Sequence, residues 1–225
     1  MKIVLLTLTY LVGAGELILA IYFWVTNSKS EIRRVMALLA FSTGAWVIFS
    51  GLSAYTTETA FVDFALALVY VFGTFLMTAL VHFSIIYPYP TIRFDWLHKL
   101  LLYVPAVIFS MLALLTKTIV SGIDVTTNTP GKVISGPLHH TYNYYLLVLF
   151  LVFIVIILFK IRRAEGPMRN NMIAIFVSII IGGGIPVWLD LITPNFGLNM
   201  NVNYLYGNIS TVAWLGVTTF IVMKK

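Results

Sequence analysis

Cysteine is absent from the 225 residues, so no disulfide, thiolate metal site or thiol nucleophile can form. Charge is scarce too: Lys, Arg, Asp and Glu make up 10% of the chain, and only 8 residues are acidic. A soluble domain carries about a quarter charged residues, so that class is excluded. Histidines are few and scattered. His139 and His140 are neighbours with no acid at helical spacing, His82 lies near the end of an apolar run, and His98 is expected in a loop. No metal or other cofactor is therefore expected. No Gly-x-Ser-x-Gly elbow, Ser–His pair or intramembrane aspartate pair is present, so hydrolase and protease chemistry lacks a nucleophile. The last apolar run has no Lys before Lys224, which leaves a retinal Schiff base no attachment point.

What remains is apolar. Hydrophobic residues make up 60% of the sequence and the mean hydropathy is +0.97. Seven runs stand out, at residues 3–26, 35–56, 61–86, 100–117, 141–160, 171–191 and 203–223. Each approaches the roughly 20 residues that a helix needs to cross a bilayer. The predicted fold is an all-α, seven-transmembrane helix bundle forming one domain over residues 1–225, and no catalytic domain is expected in it. The basic residues give the orientation. The loops after spans one, three and five and the tail after span seven hold Lys29, Arg33, Arg34, Arg93, Lys99, Lys160, Arg162, Arg163, Arg169, Lys224 and Lys225. The other side keeps only Lys2, Lys117 and Lys132. Basic loops stay cytoplasmic, so the N-terminus is expected outside and the C-terminus in the cytoplasm of a multi-pass plasma-membrane protein. The net charge of +6 is this topology signal and an attraction to membrane lipids, so no nucleic-acid partner is expected.

The first run is too long for a signal peptide, is interrupted by Glu16, and is followed rather than preceded by its basic cluster. Pro88 and Pro90 end span three, with Tyr89 and Trp96 as interfacial anchors. Between spans four and five, Ile123-Asp-Val-Thr and Gly131-Lys-Val-Ile flank Thr127-Asn-Thr-Pro130, which predicts a small extracellular hairpin. Spans five to seven do not echo spans one to three, which argues against a transporter built on repeats.

Three groups of residues could carry function. Glu16 lies near the bilayer centre, where a carboxyl is expensive, on a stripe with Thr9, Gly13 and Ala20. It is either an intramembrane switch or ligand contact, or a protonated acid hydrogen-bonded across helices. In span three, Asp63, Ala67, Tyr70, Thr74 and Thr78 share one face, with Asp63 at the outer mouth. They either line an outward cavity or bond to neighbouring helices. In span six, Gly182, Gly183, Gly184 and Pro186 make a kink or hinge, or permit tight packing. Beyond it come Trp188, Asp190, Asn195, Asn199, Asn201, Asn203, Tyr204, Tyr206 and Asn208. The expected ligand-binding residues are Tyr70, Thr74, Trp188, Asp190, Tyr204 and Asn208, with Tyr142 at the rim, around a concave aromatic site.

The chain resembles the N-terminal seven-helix sensor region of bacterial membrane histidine kinases. Phe83-Ser-Ile-Ile-Tyr-Pro88, Tyr103-Val-Pro105, Ser135-Gly-Pro137, Met168-Arg-Asn-Asn171 and Ile192-Thr-Pro194-Asn-Phe-Gly197 carry the resemblance. It departs at Asn170 and Asn171, where the family tends to carry Gln. In that family the last helix leads into a dimerisation helix, a phospho-accepting histidine and an ATPase domain, whereas these residues stop at Lys225. The resemblance implies an excised or stand-alone sensor. Its small-molecule or lipid-like ligand would sit in an outward cavity, with relay through helices six and seven to a cytoplasmic kinase or a homodimer partner. A small transporter or channel is the alternative, motivated by Glu16 and the interrupted span six.

Overall fold

Seven helices stand among the described residues, each formed by one of the apolar runs. The computed structural model describes residues 2–55, 58–124, 132–184 and 205–223. The helices are α1 (Lys2–Thr26), α2 (Glu31–Tyr55), α3 (Thr59–Ile86), α4 (Trp96–Leu115), α5 (His139–Arg163), α6 (Gly166–Gly182) and α7 (Leu205–Met223). Between α4 and α5, β1 (Val120–Asp124) pairs antiparallel with β2 (Lys132–Ser135), so the predicted hairpin is present with its first strand begun earlier. Five helices, α1 to α5, are long and apolar enough to cross a membrane among the described residues. The apolar helices α6 and α7 are shorter. The expected continuation of span six to residue 191, with Pro186, Trp188 and Asp190, lies outside the described residues, as does Tyr204.

Local chemistry moves several helix starts from where hydropathy alone puts them. Span four was expected from residue 100, but α4 starts at Trp96 because Asp95 caps it, accepting from the His98 backbone N–H at 3.2 Å. His98 therefore lies in a helical first turn rather than a loop. Its ring Nδ1 sits 2.7 Å from Asp95 Oδ1, and hydrogen bonding from His98 holds the Asp95 carboxyl below its usual range. Likewise α2 starts at Glu31, drawing Arg33 and Arg34 out of the expected loop; the Arg34 N–H bonds the Ser30 carbonyl at 3.0 Å. Glu31 in the first turn of α2, and Lys160, Arg162 and Arg163 in the last turn of α5, suit the helix dipoles.

Packing follows sequence order and then closes. α1 packs on α2 and α2 on α3; α3 also meets α4, α5 and β1, while α7 packs on α6, α1 and α2. At the α1–α2 crossing a Cβ on Gly44 would stand 2.8 Å from the Gly13 carbonyl oxygen, so only glycine lets these backbones meet. Thr9, Gly13, Glu16, Ala20 and Phe23 form the buried stripe of α1, matching the predicted inward face. α4 is peripheral: Ala106, Ser110 and Ala113 are its buried residues, and only 17% of its span is buried.

A candidate sensory site at the hairpin end

The stripe on α3 forms two distinct pieces. Its deeper part is a closed tie to α5. The Tyr142 hydroxyl donates to the Tyr70 carbonyl at 2.7 Å, and Thr74 Oγ1 lies 3.1 Å from that hydroxyl and 2.7 Å from the same carbonyl. The Tyr70 and Tyr142 rings sit 5.1 Å apart. Tyr142, expected at a rim, is 2% exposed, because α5 begins at His139 and brings position 142 under the hairpin. The tie continues outward: the His139 ring lies 5.9 Å from Tyr70, and its Nδ1 lies 3.2 Å from the Ile119 carbonyl beside β1.

The shallower part of the stripe is open. Asp63, Phe64 and Ala67 form one wall of a cleft of about 330 Å³. The end of α4 from Ala113 to Lys117 and β1 residues Val120, Ser121 and Gly122 form the other. Asp63 makes no hydrogen bond or ion pair among the described residues. Sequence reasoning found Asp63 and Ala67 but not the facing wall, which only the antiparallel packing of α4 on α3 supplies.

Glu16 is 4% exposed and accepts from Thr211 Oγ1 of α7 at 2.7 Å. Its second oxygen has no hydrogen-bond partner among the described residues. The next residue back, Ser210, donates to the Gly182 carbonyl of α6 at 2.6 Å. Adjacent side chains on α7 thus bond two different helices. A Glu16→Gln variant keeps an acceptor for Thr211 and is expected to unfold within about 1 kcal/mol of wild type. Glu16→Leu removes this acceptor and is expected to lose about 1–1.5 kcal/mol in a denaturant titration. Equal midpoints for the two variants would show that the bond contributes nothing.

The opposite end of the bundle holds residues read from sequence only as topology signals. Lys160 is fully buried, and its Nζ donates to the carbonyls of Ile85, Tyr87 and Tyr89 at 2.8, 2.7 and 2.6 Å. Its position was legible: Phe150, Phe153, Ile157 and Lys160 continue one buried stripe at steps of three and four. Nearby, Glu31 Oε1 pairs with Lys99 Nζ at 2.5 Å and lies 3.4 Å from His82 Nε2. The other nitrogen of His82, Nδ1, lies 2.9 Å from the Tyr103 hydroxyl. This network joins the ends of α2, α3 and α4. Burial raises the Tyr87 hydroxyl above its ordinary pKa. Among the described residues no group of three or more His, Asp or Glu could hold a metal.

A family model described as the N-terminal 7TM region of histidine kinase matches residues 8–219. The chain belongs to that family. It is a transmembrane sensor region associated with histidine-kinase signalling, and the matched region is the sensor rather than the catalytic kinase domain. No curated protein matches the chain. In this 7TM sensor region the described residues bring together Tyr70, Thr74 and Tyr142 in the closed tie, with Asp63 at the cleft and Glu16 on the far side of the bundle against α7. Of the remaining expected residues, Gly182 packs against α7, Gly183 caps α6 with its N–H on the Ile179 carbonyl, and Gly184 follows it. Asn208 lies in the first turn of α7, and only its place in the helix is described.

Proposed function

We propose that this chain is a single sensory domain with its hairpin end outside the cell and its C-terminus in the cytoplasm. It detects a small or lipid-like ligand at the hairpin end and passes the bound state through α6 and α7 to a cytoplasmic histidine kinase domain or partner. The observation that carries the reading is the pair of bonds from Ser210 to Gly182 and from Thr211 to Glu16. They fix the rotation and height of α7 against two neighbours by directional contacts rather than by apolar packing alone. A helix held this way has discrete alternatives, which a small differential affinity can select. Gly182, Gly183 and Gly184, with Pro186 after them in the sequence, supply the place where α6 yields, and Trp188, Asp190, Tyr204 and Asn208 are read as ligand contacts together with Tyr70, Thr74 and Tyr142. In this arrangement Glu16 and Asp63 are the switch carboxyls, one at the relay helix and one at the ligand.

The test joins a histidine-kinase output module after Lys225 and measures basal phosphorylation in membranes. Ser210→Ala and Thr211→Val are each expected to shift it at least about threefold, the change that about 0.7 kcal/mol makes in a two-state equilibrium. Unchanged output in both folded variants would remove α7 from the relay. Single cysteines at Ser28 and Ser135, on this cysteine-free background, test the orientation. Only the Ser135 variant is expected to label in intact cells with an impermeant maleimide; labelling of Ser28 alone would invert the topology.

A further inference from the structure

The cleft between α3, α4 and β1 presents two unpaired charges of opposite sign over an apolar floor. Asp63 stands on the α3 wall and Lys117 follows the end of α4. Neither forms an ion pair with the other or with any described residue. Two flexible side chains of opposite charge across one cleft would ordinarily drift together at little cost. In this structure they do not pair. The β1–β2 register shifts between Val120 and Gly122, and Gly122 adopts a φ of +158°, which side chains rarely accept. That bulge carries the strand past Asp63, where a Cβ on Gly122 would stand 3.8 Å from Asp63 Oδ1, at ordinary van der Waals contact. Bulges of this kind re-aim a strand beside binding sites.

The floor is made by Phe64, Ala67, Ala113 and Leu114. Phe64 is 55% and Leu114 43% exposed, so the floor runs out onto the side of the bundle rather than into its core. α4, the least buried of the long spans apart from its cap of small residues on α3, leaves this side open to lipid. A volume of about 330 Å³ is at the small end of ligand sites, enough for a head group and its first methylenes. The remainder of a chain would leave along the lipid-facing side.

We infer that this cleft binds a zwitterionic amphiphile, its ammonium group on Asp63, its acidic group on Lys117, and its alkyl chain over Phe64, Ala67 and Leu114. Occupancy is read by the same helix: Asp63 and Ala67 lie on the face that continues to Tyr70, whose carbonyl receives the Tyr142 bond. The other wall reaches α5 through Ile119 and His139. The role in signalling rests on the sensory reading above; the binding does not.

Radiolabelled lysophosphatidylethanolamine is the probe, titrated onto the full chain in phosphatidylglycerol nanodiscs. Saturable binding of one molecule per chain is expected, weakened about tenfold by Asp63→Asn and about tenfold by Lys117→Gln. Ala67→Leu, which fills the floor without touching a charge, is expected to abolish it and covers the case in which Asp63→Asn fails to fold. As competitors, dodecylammonium should lose potency only in Asp63→Asn and dodecyl phosphate only in Lys117→Gln. Phosphoethanolamine without a chain should compete at least about a hundredfold more weakly than the probe. Repeating the titration in phosphatidylethanolamine nanodiscs separates the sources: a weakened apparent affinity identifies bilayer lipid as an occupant, and an unchanged one identifies an amphiphile arriving from outside. Non-saturable partition, equal affinity in all variants, or equal competition by phosphoethanolamine would overturn the assignment. Saturable binding with no change in the output of the kinase fusion would leave the site standing and remove the sensory reading.

Discussion

Replacing Lys160 with methionine is expected to lower the unfolding free energy by about 3–6 kcal/mol, the largest effect of any single substitution at this end of the bundle. The ammonium has three protons, and each reaches a carbonyl at the end of α3 or in the turn that follows it: Ile85, Tyr87 and Tyr89. Methionine matches the length of the stem but donates nothing. Each lost bond to the charged donor costs about 1.5–3 kcal/mol, offset in part because the Ile85 carbonyl keeps the Thr91 N–H at 3.0 Å and water can reach the part-buried Tyr89 carbonyl. The aromatic ring of Tyr89, 5.2 Å from Nζ, loses its cation as well. In nanodiscs the thermal midpoint should fall on the order of 10 °C. Lys160→Arg should fall between, since a planar guanidinium cannot point three donors at one turn. A loss below about 1 kcal/mol in Lys160→Met would mean that the turn is held by its prolines and that the lysine is incidental.

Gly182→Leu is expected to part α6 from α7. A Cβ there would stand 2.6 Å from the Ser210 carbonyl oxygen and 2.9 Å from Trp214 Cδ1. The first of these is backbone and cannot turn aside, so the helices must separate and the Ser210–Gly182 bond must open. Overpacking at such contacts costs about 1–3 kcal/mol, and the lost bond adds about 1 kcal/mol. Gly184 is the control: among the described residues nothing lies within 4 Å of its added Cβ, and Gly184→Ala should stay within about 0.5 kcal/mol of wild type. Spin labels on exposed positions of α6 and α7 would report the separation. Equal distances and equal stability for the two variants would show that Gly182 is a bystander.

A sequence conveys what each segment does by itself and little of which segments meet. Helix number and inward faces are properties of one segment at a time, so hydropathy and 3.6-residue periodicity found them, the α1 stripe through Glu16 included. Helix starts depend on one capping side chain, and Asp95 shifted α4 by four residues from the apolar boundary. Partners are a different matter. Nothing local links Glu16 to Thr211 or Lys160 to the turn at Tyr87. Charge misled in the second case, because a lysine at the end of a span reads as a loop residue until its place on the buried stripe is noticed. The α3 stripe was read as one surface, yet Thr74 closes on Tyr142 while Asp63 stays open. Only the position of α4 and the bulge in β1 separates the two.

The bond between Glu16 and Thr211 spans 195 residues, joining α1 to α7, which is synthesised well after it. During synthesis, α1 enters the bilayer long before its partner exists. Until α7 arrives, the carboxyl has no Thr211 and must find water, a head group or a chaperone, since bare hydrocarbon is costly for it. The bundle therefore cannot finish closing around α1 until α7 is inserted. A chain interrupted anywhere before α7 presents an unsatisfied acid within its first span.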